Sequence, residues 1–341
     1  MSGAGQSDPA RAVQYGQWVE LAYSMYAATP TNPTPPPPSP FPPDSKFIAW
    51  VQMKDFVIED GNWTFYGLIA QHTFVLAIRG TENLTDWWDD LTSAVPVPLK
   101  DFGNVAYGFN RIYQTLRVVD AAPSQALTAQ AAPQPAGTFA QQVAAAARRH
   151  AALGQAPDHA TPEMAGPAMS IEVTGHSLGA ALATLYVAEN VGSAQVTTPF
   201  ICTFASPRVG DAAFAAKFDQ LGITSWRIVN ELDIVPKLPF LGFAHVAEEH
   251  AYNSGPSVIW TLACWHDLAT YLNLLDPSQP IAAGCLWPKA ALSAAAPLRA
   301  APKLAQAAPA TAAPTAKEIA LSAPAGGAST INITIRIGGA D

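Results

Sequence analysis

Apolar and polar positions repeat with two periods along this chain, and the switches between them mark the elements. Asp8-Pro9 reads as an N-cap followed by proline in the first helical turn. It opens a helix to about Tyr26, with Val13, Trp18, Val19, Ala22 and Tyr26 facing inward. Runs at 47–53, 63–70 and 73–78 carry strand character, the last two close enough to pair as a hairpin. Helical spacing follows at 105–119 and 138–153. Residues 169–174 then predict a strand, 178–189 a helix, 200–204 a strand, 211–221 a helix and 225–229 a strand. Strands alternating with helices imply an α/β fold with a mostly parallel sheet covered on both faces. In such sheets the ligand site lies beyond the carboxyl ends of the strands.

Between the elements the composition shifts. A proline-dense strap occupies 29–43, an Ala/Pro/Gln-rich insert 121–167, and an Ala/Pro tail 289–341, which ends in a strand-like alternation at 331–337. The expected organisation is therefore one domain over 1–288 carrying strap and insert, followed by the low-complexity tail. A lone terminal strand needs a sheet edge to dock on, in this chain or on a partner. With 49% hydrophobic and 13% charged residues in 341, the chain can bury a large core. A net charge of -8 supplies no basic footprint, so nucleic acid is not an expected partner. No apolar run is long enough for a transmembrane span, and the first residues lack the pattern of a signal peptide. The default expectation is a cytoplasmic protein, unless an unrecognised route exports it; the oligomeric state is left open. Cys202, Cys264 and Cys285 lack zinc spacing and allow at most one bridge.

The chemistry concentrates at Gly175-His176-Ser177-Leu178-Gly179, between an expected strand and an expected helix. This is the setting of a nucleophile elbow, where glycines let backbones approach and the serine takes a strained conformation at the apex. A nucleophilic serine needs a base, an acid that orients the base, and donors for an oxyanion. Asp233, in the loop after a strand, is the preferred acid, with Glu231 as competitor. Among the bases His176 is set aside because a neighbour of the nucleophile points away from it. Of His245, His250 and His266, the last is preferred; the first two do not have H-E-x-x-H spacing and are read as structural or surface residues. The Leu178 N–H is one oxyanion donor, and the second is expected where the 73–78 strand runs into Gly80-Thr81.

These residues resemble the class 3 lipases, α/β-hydrolases that include fungal triacylglycerol lipases and plant acylhydrolases. The resemblance rests on Ile78-Arg79-Gly80-Thr81, Asp86-Trp87-Trp88-Asp89-Asp90-Leu91, the elbow, Thr203 through Asp211, Asn230 through Pro236, and His266-Asp267 with Tyr271-Leu272. It covers about residues 47–275. It implies that Ser177 is the nucleophile, that Asp233 and His266 complete the triad, and that Thr81 and Leu178 form the oxyanion hole. No cofactor and no metal are implied. The segment after Thr81 corresponds to the family's lid, which would make Trp87, Trp88 and Leu91 substrate-facing or lipid-facing. The implied activity is hydrolysis of carboxylic esters, triacylglycerol or another acyl ester, with the substrate met at a lipid–water interface. The alternatives are a phospholipase A1, a short-chain or feruloyl esterase, a polyester depolymerase and, from a different class, a catalytically silent hydrolase-like binding protein. Ala106, Ala180 and Ile234 depart from common family residues without removing a reacting group.

Overall fold

In the computed structural model nine of the described strands join a sheet whose two faces bury separate apolar clusters. Residues 7–54, 63–71, 74–81, 95–121, 137–153, 168–191, 193 and 196–287 are described. Helix α1 (Pro9–Ala28) is followed by strands β1 (Lys46–Lys54), β2 (Trp63–Gln71), β3 (Phe74–Ile78), β4 (Pro96–Leu99) and β5 (Gly103–Ala106). Helix α2 (Tyr107–Tyr113), strand β6 (Arg117–Asp120), helix α3 (Phe139–Leu153), strand β7 (Met169–His176) and helix α4 (Leu178–Glu189) come next. The remaining helices and strands are β8 (Val196–Thr197), β9 (Phe200–Phe204), α5 (Ala212–Asp219), β10 (Thr224–Asn230), β11 (Glu248–Tyr252), α6 (Leu262–His266) and α7 (Leu268–Leu275).

The sheet runs β11-β10-β9-β7-β3-β2-β1-β6, with β8 beside β7. Pairing is parallel from β3 to β11 and antiparallel from β3 through β2 and β1 to β6. With helices on both faces and a strand-to-helix reversal at Ser177, this is an α/β-hydrolase fold. Strand alternation explains the two cores. Ile69, Leu76 and Ile78 enter the cluster formed with α2, α3 and α4, while Leu68, Val75 and Ala77 face the clusters under α1 and α7. Each such leucine, isoleucine or valine contributes roughly 1.5–3 kcal/mol relative to exposure, enough to fix the register. Asp8 caps α1 by accepting from the Ala10 and Arg11 N–H groups, as the Asp8-Pro9 pair predicts.

Three readings need correction. The helical spacing at 105–119 resolves into the end of β5, the short α2 and strand β6, because Val105 pairs with Val97 and Val118 with Val51. Valines that fill sheet positions so well override a locally helical pattern. Residues 95–99, where the sequence pattern predicts no strand, contribute β4 to a hairpin with β5. Strand β11 escapes the sequence reading because Glu248-Glu249-His250 is polar; it lies at the sheet's edge, paired with β10. The proline-dense strap runs over β1, where the Trp50 Nε1–H donates to Pro35 O at 2.7 Å and Gln52 Nε2 to Pro33 O at 2.8 Å. The chain divides into two units, Met1–Lys289 and Ala290–Asp341. The second unit, with the 331–337 alternation, lies outside the described residues, as do the lid segment 82–94 and insert residues 122–136 and 154–167.

Candidate active site

Strand β7 runs up to His176, and α4 starts at Leu178, leaving Ser177 alone to reverse the chain. Its φ of 56° and ψ of -125° lie where few residues other than glycine are comfortable. The reversal is possible because the flanking glycines have no Cβ. One on Gly175 would sit 2.4 Å from Gly179 O, and one on Gly179 would sit 2.3 Å from Ile78 O. The Ser177 N–H is held by Phe204 O at 2.9 Å, at the end of β9. Leu178, as first residue of α4, keeps an N–H that no intrahelical carbonyl can accept.

The acid and the base meet in a buried pair. Asp233 is fully buried in the loop after β10, and its Oδ2 accepts from His266 Nδ1 at 2.6 Å and from the Tyr271 hydroxyl at 2.7 Å. Oδ1 accepts the Val235 N–H at 3.0 Å. Burial and the Asp233 charge push the Tyr271 phenol well above its ordinary value, so it stays a donor. With Nδ1 committed to Asp233, His266 retains a buried Nε2 that has no hydrogen-bond partner among the described residues. The competing acid is elsewhere: Glu231 is exposed, and its carboxylate accepts from Asn253 Nδ2 at 2.7 Å. Of the competing bases, His250 sits in edge strand β11 with its ring 6.1 Å from Trp226, and His245 lies by Arg227 and Arg208.

The His176 ring reaches His266, the preferred base. Its Nε2 lies 2.9 Å from His266 O, and the two rings are 4.7 Å apart. Burial and the neighbouring His266 hold its pKa well below the imidazole value, so the ring is neutral. A carbonyl only accepts, which puts the ring proton on Nε2 and leaves Nδ1 to accept from the Tyr23 hydroxyl at 2.9 Å. The same hydroxyl accepts the Gly80 N–H at 2.8 Å. A chain of three hydrogen bonds therefore links the loop before Thr81 to the backbone of His266. Asn230 adds a second clamp, donating to Trp265 O at 2.9 Å. Both carbonyls at the end of α6, which a helix leaves unsatisfied, are thus held by buried side chains. Sequence reasoning missed Tyr23, Asn230, Tyr271 and this use of His176; only the presence of Asn230 and Tyr271 in the matched motifs signals them.

The Gly80-Thr81 loop is anchored by Arg79, whose Nε donates to Phe65 O at 3.0 Å and whose guanidinium stacks 3.6 Å over Tyr26. Thr81 and His266 line a cavity of about 610 Å³, together with Glu20, Tyr23, His176 and Asp267. Two residues before His266, Cys264 is bridged to Cys285, and Cys202 is free and buried. Trp87, Trp88 and Leu91 lie outside the described residues. An elbow serine, an acid-oriented imidazole with a free nitrogen, and a helix N-terminal N–H form a set competent for acyl transfer.

Residues 75–243 match the family model described as lipase (class 3). The phospholipase A1-II 4 of Oryza sativa subsp. japonica is 40% identical over 125 residues, 32% of this chain and 30% of that protein. The lipase of Rhizomucor miehei is 40% identical over 126 residues, 32% of this chain and 34% of that protein. The matched stretches thus span about a third of the length of these curated relatives. Among solved structures, a native Rhizomucor miehei lipase propeptide complex aligns over 83% of this chain and 84% of its own, with 22% identity and a TM-score of 0.49. The family-model match runs from β3 across the elbow to the loop after Asp233, so residues 75–243 carry the class 3 lipase family's pattern.

Proposed function

We propose that this chain hydrolyses carboxylic esters in the manner of a lipase, through an acyl-enzyme on Ser177. One observation carries the reading: His266 holds Nδ1 on buried Asp233 at 2.6 Å and keeps a buried, unpartnered Nε2 next to the elbow. In the reaction Nε2 takes the Ser177 proton as Oγ attacks the ester carbonyl carbon. The carbonyl oxygen becomes an oxyanion, stabilised by donors on Thr81 and Leu178. His266 then gives the proton to the leaving alkoxide. Water, deprotonated by the same nitrogen, attacks the acyl-enzyme and releases the acid. Acyl glycerides or other long-chain esters are the first substrate reading. Phospholipids acylated at position 1 are the second, supported by the names of the plant relatives. Among the described residues no helix is long and apolar enough to cross a membrane, so the lipid would be met at its surface. The Cys264–Cys285 bridge supports maturation in an oxidising compartment over the cytoplasmic default.

The test uses a fluorophosphonate probe and a soluble p-nitrophenyl ester. Ser177 should be the labelled residue, and Ser177→Ala should fold but lose both label and turnover. Asp233→Asn should lower kcat by about 10⁴, the loss expected when the orienting acid no longer fixes the imidazole tautomer. Labelling at another serine, or turnover by folded Ser177→Ala, would remove the reading.

A further inference from the structure

The cavity against Thr81 and His266 carries charge of one sign. Glu20 from α1 and Asp267 at the start of α7 line it, and among the described residues no lysine or arginine does. His176 in its wall is neutral. Arg79, two residues before Thr81, gives no compensation, since its guanidinium lies over Tyr26 and Tyr66 and donates to Phe65 O and Gly80 O. The two carboxylates sense each other: burial, and then the Asp267 charge, raises Glu20 above its ordinary value. Asp267 is fixed in place as the N-cap of α7, accepting the Ala269 N–H at 2.8 Å. Thr81 and His266, an oxyanion residue and the base in the hydrolase reading, both line this space, which on that reading sets the reacting ester against it.

We propose that Glu20 and Asp267 make the cavity an anion filter, which admits uncharged acyl esters and disfavours substrates that bring a phosphate beside the reacting carbonyl. The proposal rests on the hydrolase reading above and narrows it to neutral glycerides and similar esters over anionic phospholipids. A phosphate here would face two carboxylates in a partly dehydrated space with no lysine or arginine among the described lining residues to offset them, where Coulomb repulsion is screened less than in bulk water. A neutral ester meets no such penalty, and a free hydroxyl on it finds acceptors in the Glu20 and Asp267 carboxylates.

The experiment compares kcat/KM of the full chain on diacylglycerol and on phosphatidylglycerol with the same acyl chains, in micelles of an uncharged detergent near pH 8. The neutral lipid should be preferred by about tenfold or more. Glu20→Gln and Asp267→Asn should each shrink that ratio about three- to tenfold, mainly by raising the rate on the anionic lipid. Asparagine retains the cap at 267. In the wild-type chain, added salt should narrow the ratio as well, a reading that needs no variant. A wild-type preference for the anionic lipid, or a ratio unmoved by both substitutions and by salt, would overturn the filter while leaving the hydrolase intact. Turnover of neither lipid, with Ser177 unlabelled, would overturn both.

Discussion

Asp233 accepts from three donors, and they differ in what they contribute. The Val235 N–H belongs to the loop and shapes it, His266 is the group that takes up a proton in the proposed reaction, and Tyr271 only holds the carboxylate in place. Tyr271→Phe removes one hydrogen bond to a buried charge, worth about 1.5–3 kcal/mol. We expect kcat to fall about tenfold or more with KM little changed, measured on a soluble ester alongside a thermal melt. An unaltered kcat in a folded variant would mean that His266 and Val235 suffice. The three residues of the proposed triad were legible as candidates because that chemistry demands particular side chains in particular turn settings. Tyr23, Asn230 and His176 were not, since their roles arise from contacts spanning 153 positions for Tyr23 with His176 and 35 for Asn230 with Trp265. No local pattern encodes such pairs.

At the scale of elements the informative one is α6, the five-residue helix that ends in His266. A helix this short has no stability of its own. It is held by Thr261, which accepts the Cys264 N–H at 3.2 Å, by the Cys264–Cys285 bridge, and by a small cluster of Val258, Ile259, Trp265, Ile281 and Ala282. Closing a loop of 21 residues should stabilise the fold by about 3 kcal/mol on chain-entropy grounds. Cys285→Ser, or a reducing agent, should therefore lower the melting temperature and also cut turnover well below the melt, because the freed segment carries the base. Turnover that follows only the global melt would show that Asn230 and His176 hold the helix without the bridge. The bridge was legible only as an option among three cysteines, whereas the elbow strand and helix were legible nearly to the residue. The difference is that an elbow is a local necessity, while valines at 105 and 118 and acids at 248–249 receive their strand role from neighbours far along the chain.

For the molecule as a whole, acid sensitivity follows from histidines folded in their neutral form. His176 is held well below its usual value by burial and by His266, and His245 is pushed down to about 4 by burial and by Arg227 and Arg208. Unfolded, each titrates near 6.5. As pH falls below that value the unfolded chain takes up protons that the folded chain refuses. Stability from these groups is therefore complete above about pH 6.5 and declines toward pH 4. Urea midpoints measured across that window should fall with pH, and His245→Gln should flatten part of the decline; a midpoint independent of pH would contradict this account. The division of the interior by the sheet has a wider consequence. Leu178 belongs to the core on one side, and Tyr271, with the helix that bears Tyr23, to the cores on the other. The reacting groups thus lie along a seam between two packed layers, and neither layer alone can align them. A disturbance in either reaches the chemistry through the few hydrogen bonds that converge on Asp233 and His266, so catalytic competence reports on the mutual fit of both halves well before either half comes apart.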